Sequence, residues 1–191
     1  MNLRYRILKI QAQVLIVFGR NAAASAVLDR MLAEFGDDAY VLASRAHLHA
    51  LAGRRDAAIA DYRRTVACDP KAALGWFNLG FLLEESGERV EAEGCFRQAI
   101  ALDPGLDRAW YGLGLVLVHA GRTEEAIAVF KRNTELQPMS PYGWYQLARV
   151  HVDRHEPDEA VRIIGHLKGF EPKVAAQLER ETGLKAPVAA R

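Results

Sequence analysis

Apolar positions in this chain recur with the period of a helix, not of a strand. Between residues 73 and 102, Trp76, Leu79 and Leu83, then Ala92, Phe96 and Ala99, stand three or four residues apart. Each set therefore lines one side of a helix. The spacing predicts one helix over 73–86 and a second over 89–102. Gly87 can take a positive φ and stop the first helix, and Pro104 keeps the second from running on. Gly80 and Ala92 are small enough to let the pair approach closely, with Trp76, Leu79, Leu83 and Phe96 expected in the seam between them. Such a pair cannot bury its apolar side alone. Stacking one pair on the next makes a continuous core.

The pattern repeats along the chain. Trp76, Trp110 and Trp144 are 34 residues apart, each followed three residues later by Leu79, Leu113 or Leu147. Gly80, Gly114 and Ala148 keep the same interval, as do Ala58, Ala92, Ala126 and Ala160, and Pro70, Pro104, Pro138 and Pro172. The mid-unit turn falls at Gly19, Gly53, Gly87 and Gly121, with His155 in the fifth place. The chain divides without insertions into units 5–38, 39–72, 73–106, 107–140 and 141–174. A further helix is expected over Lys173–Thr182, stopped by Gly183, with a frayed tail from Leu184 to Arg191.

These residues resemble the tetratricopeptide repeat (TPR), a 34-residue helix–turn–helix unit with the pattern W-x2-L-G-x2-Y, G, A-x3-F-x2-A and P. The third and fourth units carry the pattern best. There Leu83 and Leu117 replace the usual tyrosine, and Asn133 replaces the second alanine. The first unit is the most degenerate, keeping Ala12, Gly19 and Ala24. The resemblance implies an all-α, right-handed superhelical solenoid of about five TPR helix-turn-helix units plus a C-terminal capping helix. The TPR domain would span 5–174, and 175–191 would hold the end of the capping helix and a flexible tail.

It also implies a place for function. In this architecture the first helices line a concave groove, and the second, fifth, ninth and twelfth positions of each unit share one helical face. That register nominates Arg6, Lys9 and Gln13; Tyr40 and His47; Phe77 and Phe81; Arg108, Tyr111 and Leu115; and Tyr142, Tyr145 and Arg149. Asn78 joins them from the sixth position. Phe77, Tyr111 and Tyr145 share the fifth position and are expected to form an aromatic ladder. Aromatic rings offer large apolar area with few rotors to freeze, and arginine can hold a carboxylate through paired hydrogen bonds. Only Asn78 and Arg108 match the clamp with which some relatives grip a C-terminal carboxylate, so binding of chaperone tails is not expected. The implied role is a non-catalytic protein-interaction module that binds a peptide or protein segment, as adaptor, assembly scaffold or chaperone-like holder.

Composition narrows this reading little further. The length of 191 residues fits one domain or one small solenoid, and the net charge of +1 argues against a dedicated nucleic-acid binder. Locally, residues 1–30 are basic and residues 84–93 acidic. Cys68 and Cys95 are too few for a disulfide scaffold, read as small core residues, and fit a reducing, cytoplasmic setting. No metalloprotease, phosphate-loop or serine-hydrolase motif occurs, and no cofactor, catalytic centre or metal site is expected. His151 and His155 have ligand-like spacing but fall at the seam and at the turn. The longest apolar run, Val14–Phe18, is far short of a membrane span. Arg4, Arg6 and Lys9 before it imitate a signal sequence, yet Gln11, Gln13 and Arg20 interrupt that pattern. Helix one is apolar over most of its circumference, through Ile7, Leu8, Ile10, Val14, Leu15 and Val17. Terminal repeats need a polar outer face, so the alternative is a homo-oligomeric scaffold that self-associates through helix one.

Overall fold

In the computed structural model, residues 3–187 are described. They form eleven helices: α1 (Leu3–Val17), α2 (Asn21–Phe35), α3 (Ala39–Leu51), α4 (Arg55–Cys68), α5 (Ala73–Glu85), α6 (Arg89–Leu102), α7 (Asp107–His119), α8 (Thr123–Leu136), α9 (Pro141–Asp153), α10 (Pro157–Lys168) and α11 (Pro172–Thr182). No strand occurs among the described residues. The protein is an all-α repeat fold. Helices pair in sequence as hairpins, and the turns inside the hairpins carry left-handed residues: Gly87 has φ 82°, and His155 takes φ 60° where the other pairs use glycine. The starts of α3, α5, α7 and α9 (Ala39, Ala73, Asp107 and Pro141) keep the 34-residue interval. That interval would put the next start at 175, but α11 begins three residues early, at Pro172.

The chain falls into two compact units, Met1–Leu102 and Asp103–Arg191. In the first, α1 packs on α2, α2 on α3, α3 on α4, α4 on α5 and α5 on α6. Leu8, Ala12, Leu28, Met31, Val41 and Leu48 make the core of its first half. An ionic bridge ties three helices there. Arg45 on α3 donates through both Nε and Nη2 to the buried carboxylate of Asp61 on α4, each at 2.7 Å, and through Nη1 to Asp29 on α2 at 2.7 Å. Asp61 is only 4% exposed, so the bidentate pairing answers a carboxylate that water cannot reach. The acidic run at 84–93 is likewise answered within this unit: Arg55 pairs with Glu85, Arg63 with Glu88 and Glu91, and Arg97 with Glu93.

In the second unit, α7 packs on α8, α8 on α9, α9 on α10, and α11 on both α9 and α10. Gly114 on α7 faces the fully buried ring of Phe130 on α8 so closely that an added Cβ would overlap the ring, with Phe130 Cδ1 at 2.8 Å. The unusual Asn133 has a structural reason. It is buried, its Nδ2 donates to the carbonyl of Asp107 at 2.8 Å, and its side chain fills the space that any Cβ at Gly143 of α9 would enter. Departure from the repeat pattern on one helix is matched by a glycine on the next.

Two expectations need correction. Trp76 is only half-buried, and its indole N–H reaches out of the hairpin to the Pro70 carbonyl at 2.9 Å. Trp110 and Trp144 do the same with Pro104 and Pro138, at 3.0 and 2.9 Å. The ring needs a partner for its donor, and the loop before its own helix supplies one. Second, Cys68 is exposed, because it is the last residue of α4 and faces outward; Cys95 is buried, which pushes its thiol pKa up to about 11. Beyond α11, Ala186 folds back onto the helices of the second unit. Ala186 is buried, its N–H donates to Glu179 at 3.0 Å, and its carbonyl accepts from Lys168 at 2.5 Å. The rest of the expected tail, residues 188–191, lies outside the described residues.

Candidate protein-binding surface

Three helices of the second unit contribute to one cleft. Tyr111 comes from α7, Pro141, Tyr142, Tyr145 and Gln146 from α9, and Val174 and Gln177 from α11. They enclose about 270 Å³, a volume suited to one or two side chains. The positions follow from helix geometry. Tyr142, Tyr145 and Gln146 are three and four residues apart on α9, and α11 lies against that helix.

The aromatic residues differ in freedom. Tyr142 is 70% exposed. Tyr111 is half-buried, sets its ring edge-on to Phe130 at 6.0 Å, and accepts a long hydrogen bond from Gln146 Nε2 at 3.4 Å. Tyr145 is half-buried and donates its hydroxyl proton to Glu181 of α11 at 2.6 Å. Arg149 donates to that hydroxyl at 3.3 Å and stands 3.6 Å from Glu181, while Gln177 donates to the other Glu181 oxygen at 2.8 Å. This ring of donors, led by the Tyr145 hydroxyl, holds the Glu181 carboxyl below the usual glutamate range. Tyr145 and Arg149 thus already hold a carboxylate, one supplied by the chain itself. Arg108 is exposed and Leu115 half-buried on α7.

The nominated residues of the first unit are arranged differently. Lys9 lays its ammonium 3.9 Å from the Tyr40 ring centroid, joining α1 to α3 by a cation–π contact. Arg6, Gln13 and His47 are exposed, and Asn78 is half-buried. Phe81 is 47% exposed. Phe77 corrects the aromatic ladder. It is only 8% exposed, because its ring packs 6.2 Å from Phe96 of α6 and 6.4 Å from Phe81. It belongs to the seam of its own hairpin.

Residues Pro141, Gln146, Val174 and Gln177 were not nominated from sequence. Gln146 sits one position beyond the register used, a shift that the breadth of a helical face makes visible. Val174 and Gln177 lie on the helix expected over Lys173–Thr182, whose packing against α9 brings them to the cleft. The other candidate chemistry resolves into structure. His151 is buried with Nδ1 2.7 Å from Glu156, and His155 occupies the turn. Among the described residues no group of three His, Cys, Asp or Glu is placed to hold a metal ion, and no helix is long and apolar enough to cross a membrane.

Comparison with known proteins gives the same architecture. A family model described as tetratricopeptide repeat matches residues 11–73 and 77–141. Among solved structures, a MamA protein superimposes with a TM-score of 0.80 at 20% identity, over 96% of both chains. MamA residues 41 to the end from Desulfovibrio magneticus RS-1 give a TM-score of 0.79 at 18% identity, over 95% of this chain and 98% of that one. YrrB, described as a TPR protein with an unusual peptide-binding site, gives 0.80 at 16% identity over 88% of each chain. At such identities the likeness is one of fold. No curated protein sequence matches.

Proposed function

Since the chain belongs to the tetratricopeptide-repeat family, whose members are protein-interaction modules, we propose that it binds a peptide or protein segment and acts as an adaptor, assembly scaffold or chaperone-like holder without chemistry of its own. The cleft on the second unit is the site. The observation that carries this reading is its lining: three tyrosines from two helices around about 270 Å³, with Arg149 donating to the Tyr145 hydroxyl. A segment with an apolar or aromatic side chain would fill the cleft, and tyrosine and arginine are the residues that most often dominate such contacts. The unusual peptide-binding site reported for YrrB supports peptide capture on this fold. Free Cys68 and Cys95 fit the cytoplasm as the compartment. A second reading, a scaffold that works by self-association, is favoured by the apolar side that α1 leaves in solvent.

Peptides selected from a random displayed library against the intact chain test the first reading. Tyr142→Ala removes an exposed ring with little effect on packing. It should weaken a selected peptide tenfold or more, about 1.4 kcal/mol, with unchanged far-ultraviolet circular dichroism. A library that yields no binder, or a binder indifferent to both Tyr142→Ala and Tyr111→Ala, would remove the cleft as the site.

A further inference from the structure

The apolar residues that α1 exposes are not scattered. Leu3, Ile7, Ile10, Val14 and Val17 are exposed by 71, 56, 58, 48 and 81%, and Phe18, just past the helix, by 76%. Their spacing is four, three, four, three, which is the seam of a two-stranded coiled coil and not the wider stripe that packs a helix onto a globular core. The core-facing side of α1 is a separate set, with Leu8 and Ala12 buried against the first unit. Resting on the self-association reading, we propose that α1 pairs antiparallel with α1 of a second copy along this seam.

Area and charge both favour that occupant. Even at the area of an aromatic residue, ~150–250 Å² each when free, the stripe offers at most roughly 700 Å². Two copies covering it fully would bury up to about 1,400 Å², which reaches the range of stable specific interfaces. A patch of that size is also larger than monomers ordinarily leave in water. Direction follows from charge. Helix α1 has no acidic residue and no basic residue in its last turn, while Arg6 is exposed in its first half. A parallel pair would set two positive helix ends and two Arg6 side chains together. An antiparallel pair brings each Arg6 towards the C-terminal carbonyls of the other copy, where the helix dipole is negative. A lipid surface fits less well. Arg4 and Lys9 are turned towards Glu34 and Tyr40 of the same chain, and Gln11 and Gln13 flank the stripe.

Sedimentation velocity over a hundredfold concentration range tests the proposal. The full chain should sediment at twice its 21.2 kDa mass. Ile10→Glu/Val14→Glu should raise the dimer dissociation constant at least a hundredfold, with circular dichroism unchanged and the melting temperature no longer dependent on protein concentration. Val90→Glu, altering a side chain 90% exposed elsewhere, should leave the dimer intact. In a Cys68→Ser background, Val17→Cys should not form a homotypic disulfide on mild oxidation. A wild-type monomer at every concentration, including one that floats with phosphatidylserine vesicles, ends the self-association reading itself. A dimer that survives the double substitution, or an efficient Val17→Cys disulfide, leaves self-association standing and overturns the antiparallel α1 seam.

Discussion

The contact between Gly114 and Phe130 allows a quantitative test of how the second unit is packed. Gly114→Ala adds one methyl group where the Phe130 ring already stands. The nearest ring atoms would overlap it, and Phe130 is fully buried, so the ring has nowhere to turn. Overpacking of this kind costs about 1–3 kcal/mol. Alanine in a helix interior gains roughly 0.5–1 kcal/mol over glycine, which offsets part of the cost. The net expectation is a loss of about 1–2 kcal/mol, or a fall in Tm of roughly 3–6 °C for a chain of this length. Gly80→Ala is the internal control. Its new Cβ would lie 3.1 Å from both Cys95 Cβ and Phe96 Cε1, so small shifts relieve it and the net change should be within ~0.5 kcal/mol of zero. Thermal melting followed by circular dichroism at the helical band gives both values. A double-mutant cycle locates the cause. In a Phe130→Leu background the cost of Gly114→Ala should shrink by at least ~1 kcal/mol. The fifth hairpin already carries this exchange, with Ala148 facing a helix whose corresponding residue is Ile164. If the two substitutions simply add, or if Gly114→Ala stabilises the protein, the close-approach argument is wrong.

Two further outcomes follow from the ionic contacts. Arg45→Ala should cost about 3–5 kcal/mol in urea unfolding, because it strands the buried Asp61 carboxylate; a loss under ~1 kcal/mol would mean that water reaches that site. The Glu181 carboxyl is held below its unfolded value, so its contribution to docking α11 is present above the ordinary glutamate pKa and disappears as pH falls through the lowered one. Hydrogen exchange of α11 amides should therefore accelerate only in acid, and Glu181→Gln should abolish that acid step.

The repeat made much of this architecture legible. Starts of α3, α5, α7 and α9 keep the 34-residue interval, and the second helix of the third unit, Arg89–Leu102, matches its expected bounds. Periodicity reports which residues share a face. It does not report how deep a residue lies on that face, which depends on the partner opposite. Phe77 sinks because Phe96 offers it a ring, whereas Tyr142 has no such neighbour and stays in solvent. Polar pairings across helices, such as Asn133 with Asp107 or Tyr145 with Glu181, connect residues 26 and 36 apart and leave no local signature. The exposed α1 stripe was legible as an excess of apolar residues, but its seam spacing became meaningful only once Leu8 and Ala12 were seen to take the inward side.

The tryptophan–proline hydrogen bonds bear on how such a chain grows or is re-engineered. Each bond spans six residues, from the loop before a first helix to the first turn of that helix. The transferable cassette is therefore not a hairpin beginning at its helix but one that brings its upstream proline with it. Duplications or chimeras spliced ahead of Pro70, Pro104 or Pro138 carry the indole and its acceptor together. Those spliced between proline and tryptophan would depend on the donor sequence to restore the bond.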